Sequence, residues 1–157
     1  IRFMMLNRSN DVELDFDFDK VKEKTKDNPV FYVQYAYARV NSLLRTLNLN
    51  LLEKLNPIQK KINFNDMEIR IIRKVFEWPK IIESASRKFD LHKIPFYLYE
   101  LSTLFHAYWS KGNDDKNFKF IEKGEIKREE ILIIINLVAV VLKNGMGILG
   151  VSLPKKM

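Results

Sequence analysis

Cysteine is absent from the 157 residues, so disulfides and thiolate metal sites are excluded, and a reducing cytoplasm suits the chain. Glycine and proline number five each. That is too few for the turns of a loop-rich sandwich or barrel, and the composition leans helical. Only two histidines occur, His92 and His106, and neither has a partner at metal-ligand spacing. No HExxH pair, glycine-rich phosphate loop or G-x-S-x-G elbow is present. The expectation is a chain with no catalytic residue, no metal site and no cofactor of its own. The longest apolar run, from Ile131 to Leu142, falls short of the roughly 20 residues a bilayer needs. It contains Asn136 and follows "KREE", so it suits a buried core helix, and no membrane partner is expected.

Hydrophobic residues make up 46% and charged residues 30%, the balance of a soluble globular chain, and the length suits one buried core in a monomer. The net charge of +7 favours an anionic partner, nucleic acid ahead of a membrane surface, although the same charge serves solubility alone. The opening "IRFMMLN" has neither an initiator Met nor a signal architecture, as expected of a piece of something larger.

In "VELDFDFD", apolar and acidic residues alternate at period two from Leu14 to Asp19, which predicts an extended segment with one buried face. Its three carboxylates on one face could bind a cation, but a solvated face is the plainer reading. This acidic stretch precedes a basic remainder, which puts a domain boundary near Asp19, separating residues 1–18 from 19–157. Asp19 can cap a short helix over "KVKEKTK". Asn28 before Pro29 is a helix start, and Val30, Val33, Tyr37, Val40, Leu44 and Leu47 then recur as one apolar stripe. "NLNLLEKLNP" predicts a break with a short helical turn, closed by Pro57. Asn65 or Asp66 can cap a helix through "MEIRIIRKVFEW", which Pro79 interrupts before "KIIESASRKF".

Pro95 opens a longer predicted helix whose core stripe is Tyr97, Leu101, Leu104, Phe105 and Tyr108. The residues from "KGNDDKN" to Lys123-Gly124 lack periodicity and are expected to form a polar loop. A last helix from about Lys127 to Asn144 would stop at Gly145, leaving an irregular "GMGILGVSLPKKM". The fold class expected is an all-α helical bundle.

At about 100° per residue, Tyr32, Tyr35 and Arg39 cluster roughly 140° from the apolar stripe of their helix. Two rings and a guanidinium make a platform for unstacked bases. Rings stack on bases at roughly 1–3 kcal/mol each, and Arg bonds base edges or phosphate. The same face could equally pack a neighbouring helix, and geometry alone favours that reading. The "PFYLYELSTLFHAYWS" helix has a comparable second face of Ser102, His106 and Trp109, with Trp109 about 120° from its core line. A histidine there is more often a packing or surface residue than a ligand.

Three segments together resemble the arginyl-tRNA synthetases. "NPVFYVQYAYARVNSLLR" is similar to the segment that begins the main helix of their anticodon-binding (DALR-type) domain. "YLYELSTLFHAYWS" and "VLKNGMGILGVSLPKKM" resemble a later helix and the terminal segment, and "IRFMMLNRSNDVELDFDFD" looks like the end of the catalytic domain. The likeness covers Arg2 to Met157. It implies a class I enzyme, an arginine-tRNA ligase that joins arginine to its tRNA with ATP and Mg. The "HIGH" and "KMSK"-type motifs for that chemistry are missing here, which implies catalysis in a domain outside this chain.

By the same resemblance the anticodon-binding residues are Tyr32, Tyr35, Arg39, Trp109 and the terminal Met157, which stack, hydrogen-bond and close the anticodon pocket. The implied partners are arginine tRNA and the chain's own catalytic domain. Three departures stand out. Tyr37 occupies the place of the usual His of "YAHAR", Trp109-Ser110 replaces Tyr-Asn, and Lys155 stands where Glu is common. Lys155, Lys156, Arg70 and Arg73 are candidate phosphate contacts. A reading from a different class is a helical module that docks a protein partner through its Tyr/Arg face, since interfaces favour the same residue types.

Overall fold

Asn28 begins the first long helix by physical necessity, because the first amides of a helix lack intrahelical acceptors. Its side chain accepts from the Phe31 amide and donates to the carbonyls of Val21 and Glu23 at 2.9 and 2.8 Å. One buried side chain thus caps one helix and ties it to the end of its predecessor. The computed structural model describes residues 1–9, 17–25, 27–52 and 62–157, without the side chain of Lys20. The described helices are α1 (Arg2–Leu6), α2 (Phe18–Lys22), α3 (Pro29–Thr46), α4 (Asp66–Phe76), α5 (Trp78–Lys88), α6 (Lys93–Asp114) and α7 (Glu129–Ile148).

Helices α6 and α7 pack against each other, with α3 on one side of the pair and α4 on the other. The architecture is the expected all-α bundle. On α3 the predicted stripe is the buried one: Val33, Tyr37, Val40 and Leu44 enter the core, with Val30 and Leu47 packed at its edge. On α6 the buried residues include Tyr97, Leu101, Phe105 and Tyr108, with Leu104 partly covered. Helix α7 is long and apolar enough to cross a bilayer by length and composition alone. Its Ile134, Ile135, Val138, Ala139 and Leu142 are instead fully buried between the other helices. Phe3 of α1 is 1% exposed and joins the same core.

The α4 start carries a capping box in which Asn65 and Glu68 satisfy each other's backbone amides. Glu68 does more than cap. Its fully buried carboxylate receives Arg128 at 2.7 and 2.9 Å and the Tyr108 hydroxyl at 2.6 Å, joining α4, α6 and the entry to α7. Burial and the adjacent Glu68 push the Tyr108 hydroxyl above its ordinary range. Pro79 sits in the first turn of α5, and the chain breaks at Glu77 as the proline predicts.

Several expectations need correction. Phe18 and Asp19 are helical rather than extended, and α2 begins earlier and ends earlier than "KVKEKTK". Its first amides are served by Asp17, which accepts from Asp19 at 2.9 Å. Residues 14–16 of the alternating segment lie outside the described residues, as do residues 53–61 around Pro57. Helix α6 starts at Lys93, two residues before Pro95, because proline is as comfortable in the first turn as at its start.

The predicted polar loop is structured. Helix α6 runs on to Asp114, a 3₁₀ turn covers Lys116–Phe118, and strands β1 (Ile121–Glu122) and β2 (Glu125–Ile126) form a hairpin. Lys123 and Gly124 both take positive φ at its tip. Helix α7 also passes through Gly145. There the glycine packs on the buried Leu98, whose Cδ2 would lie 2.6 Å from any added Cβ. The actual stop is Gly150 at φ 64°, with Val151 and Gly150 amides bonded back to Met146 and Gly147.

Candidate nucleic-acid interface

Because Asn28 and Pro29 set the start of α3, and Val33 and Tyr37 set its rotation, Tyr32, Tyr35 and Arg39 must face toward α6 and its edge. All three are partly buried. The face packs a neighbouring helix, as one of the two sequence readings expected, and all three side chains remain partly exposed. Tyr32 lies 5.2 Å from the Tyr99 ring and 4.3 Å from that of His106. Tyr35 stacks on His106 at 5.5 Å and on Phe31 at 5.9 Å. The Arg39 guanidinium carbon lies 4.3 Å from the Tyr35 ring centre and 4.9 Å from that of Trp109.

His106 is the centre of this arrangement and is only 5% exposed. Its Nδ1 is 2.8 Å from Arg39 Nη1, and its Nε2 is 3.1 Å from the Tyr32 carbonyl. Arginine can only donate and a carbonyl can only accept, so the ring is neutral, with its proton on Nε2. Its pKa is lowered to about 4, first by burial and further by the Arg39 charge, against the bond to Tyr32 that raises it. Burial and the nearby Tyr99 likewise raise the Tyr32 hydroxyl above its ordinary value.

The structure thus gathers four of the five predicted residues, Tyr32, Tyr35, Arg39 and Trp109, around a histidine that its helix alone marks only as packing or surface. The signal for it was present in the spacing. Tyr99, His106 and Trp109 stand at i, i+7 and i+10, one side of α6. Ser102, grouped with them on the wheel, is instead fully buried and donates to the Leu98 carbonyl.

Met157 stands apart from this network. The terminal residues run alongside α3, where Gln34 and Arg45 each donate at 2.8 Å to the carbonyls of Ser152 and Lys155. Val151 and Leu153 pack onto the core beneath, and Met157 is 53% exposed. Gln34 and Arg39 are roughly 140° apart around the helix axis. The tail's anchors and Arg39 therefore lie on different sides of one helix, with Tyr35, about 100° from Gln34, between them. Lys155 and Lys156 are exposed on that tail, whereas Arg70 and Arg73 are exposed on α4 across the α6–α7 pair. The four cations thus stand on two different elements, the terminal tail and α4. Among the described residues, no group of three or more His, Asp or Glu side chains is placed to hold a metal ion.

A family model described as the DALR anticodon binding domain matches residues 33–157. The arginine–tRNA ligase of Pelagibacter ubique is 50% identical over 156 residues, covering 99% of this chain and 27% of that protein. That of Ruegeria pomeroyi is 43% identical over 161 residues, covering 99% of this chain and 28% of that protein. The chain spans about a quarter of the length of the curated relatives it matches. Among solved structures, a putative arginyl-tRNA synthetase from Campylobacter jejuni superposes with a TM-score of 0.83 at 23% identity, covering 99% of this chain and 32% of that one. The Thermus thermophilus arginyl-tRNA synthetase gives 0.71 at 21% identity, covering 99% and 26%. Both share the fold described above.

Proposed function

We propose, from the premise that the chain belongs to the DALR anticodon binding domain family, that it is the anticodon-recognition domain of an arginine–tRNA ligase. The observation that carries this reading is Arg39, held between the Tyr35 and Trp109 rings and anchored to His106 on a partly open face. A guanidinium has five N–H donors, so the bond to His106 leaves others for a base edge or phosphate. Tyr32, Tyr35 and Trp109 supply the stacking surfaces, each worth roughly 1–3 kcal/mol for an unstacked base. His106 touches no base in this account. It is a positioning residue that aims Arg39 and locks the first turn of α3.

Met157 closes the anticodon pocket from the tail side of α3, and Lys155 and Lys156 are its phosphate contacts. Residues 1–18 are the last stretch of a neighbouring catalytic domain, and within them α1 rests on the helical domain 19–157 through Phe3 and through the Arg2 bond to the Gly150 carbonyl. Arginine activation with ATP and Mg belongs to that other domain. The relatives' names support this division, as does the quarter of their length that the chain matches. The partners are arginine tRNA and the catalytic domain, and the whole is a monomer of the cytoplasm.

In mechanism, the face selects a tRNA by its splayed anticodon and so orients the distant acceptor end. Its contribution appears as differential binding in the charging transition state, with a backbone component that weakens as salt rises. Titrating the chain against an arginine anticodon hairpin and a middle-base variant tests this. Preference for the cognate loop is expected, and equal affinity for both refutes specific anticodon readout.

A further inference from the structure

Trp109 has a second neighbourhood beyond Arg39. A cavity of about 240 Å³ opens beside it. Leu43 from α3, Trp109 from α6, and Phe120 and Ile121 from the hairpin side form its apolar walls. Asn113 and Lys119 form its polar rim. The cavity is preformed. Gly112 allows the connection after α6 to lie directly on the helix, since a Cβ there would meet the Phe118 carbonyl oxygen at 2.8 Å. Phe120 is held at 4.6 Å from the Tyr108 ring and meets Trp109 edge-on at 5.5 Å. The volume falls below the roughly 300–1,000 Å³ of sites that enclose a drug-sized ligand, and suits a single flat ring. A larger cavity of about 510 Å³ between α5 and α6 lacks this continuity with the Tyr/Arg face. Its Lys93 is paired with Asp90 and Ser84, and its Glu100 with Lys74.

We propose that the Leu43–Trp109–Phe120 cavity is a subsite for a second unstacked nucleotide of the same RNA loop, a proposal that rests on the anticodon-binding reading. Its base enters the apolar slot against Trp109, its edge meets the Asn113 carboxamide, and its phosphate meets Lys119. The carboxamide has both donor and acceptor, as a base edge requires. Neither rim side chain has a protein partner among the described residues, and both are exposed. Trp109 is shared, with Arg39 against its ring on the side of the Tyr/Arg cluster, so consecutive nucleotides of a splayed loop can occupy the two places.

The test uses the whole chain and an arginine anticodon hairpin, together with hairpins made abasic at each loop position in turn. Asn113→Phe fills the slot from an exposed position, and circular dichroism confirms that it folds. It is expected to weaken binding about tenfold, as loss of one stacked base does. At one abasic position, wild type and Asn113→Phe should bind alike. Lys119→Ala should lower the slope of log affinity against log salt by about one, uniformly across loop sequences. If both variants bind within about twofold of wild type while Arg39→Ala is weakened, the subsite is refuted and the main face stands. A loss with Asn113→Phe that persists at every abasic position also refutes it. If wild type prefers no hairpin over a plain duplex, the anticodon reading falls and the subsite with it.

Discussion

Arg39 Nη1 lies 2.8 Å from the Nδ1 of His106, and that bond requires a neutral ring. A cation is thus steered by an uncharged partner, buried where a second charge would be expelled. A carboxylate in the same place would hold the arginine more strongly and would also cancel its charge. The imidazole orients the guanidinium and leaves its charge intact.

Substitution at Arg39 should separate charge from shape. Arg39→Lys keeps the charge but loses the flat group between the Tyr35 and Trp109 rings, so it is expected to lose most of what Arg39→Ala loses. Each variant should weaken binding of the cognate hairpin by about 1–3 kcal/mol, with melting temperatures near wild type. Fluorescence titration beside thermal melts measures both. Lysine restoring full affinity would mean that only charge matters at this position.

Acid should loosen the fold through His106. Its pKa is lowered to about 4 in the folded chain from an ordinary 6.5. Between those values the unfolded chain binds the extra proton, so stability rises with pH across the window. The contribution is fully present above about pH 6.5 and is lost as pH falls toward about 4, with a limit on the order of 3 kcal/mol. Urea unfolding at a series of pH values should show that slope in wild type. His106→Gln, which cannot titrate, should show a shallower one. Parallel slopes would remove His106 as the cause.

Glu68→Gln should act on stability alone. The substitution leaves Arg128 beside a neutral amide and weakens the Tyr108 bond in the joint between α4, α6 and α7. Breaking a buried pair from one side costs on the order of 3 kcal/mol, with Arg128 being 30% exposed placing this case toward the lower side. Denaturant unfolding should show that loss. Hairpin affinity measured where the variant is folded should be unchanged, since Glu68 and Arg128 are bonded to each other and to Tyr108 rather than to Tyr32, Tyr35, Arg39 or Trp109.

Local signals in the chain were legible wherever local chemistry decides the structure. Asn28-Pro29 caps α3, Asn65 caps α4, and Pro79 breaks α4 from α5, each through atoms within one turn. Tyr37 reads as core by rotation alone, and it is core. Gly145 reads as a stop because a glycine near a helix end looks like a terminator. Its real partner, Leu98, is 47 residues away in another helix. The hairpin was missed because its strands are two residues each, too short to show alternation. His106 reads as a plain packing residue for a third reason. Its role exists only once Tyr32 and Arg39 of α3 meet it across the helix pair, and periodicity describes one helix at a time. The joint roles of Glu68, Arg128 and Tyr108 were hidden in the same way.

Gln34 and Arg45 hold the terminal stretch by its backbone carbonyls, at Ser152 and Lys155, while Val151 and Leu153 anchor its start in the core. Any residue but one that disturbs the backbone offers the same two oxygens. The path of the stretch along α3 is therefore independent of most of what it carries. Its outward side chains, Lys155, Lys156 and Met157 among them, are exposed and can change without the tail leaving its track. Variation can accumulate there at little expense to folding.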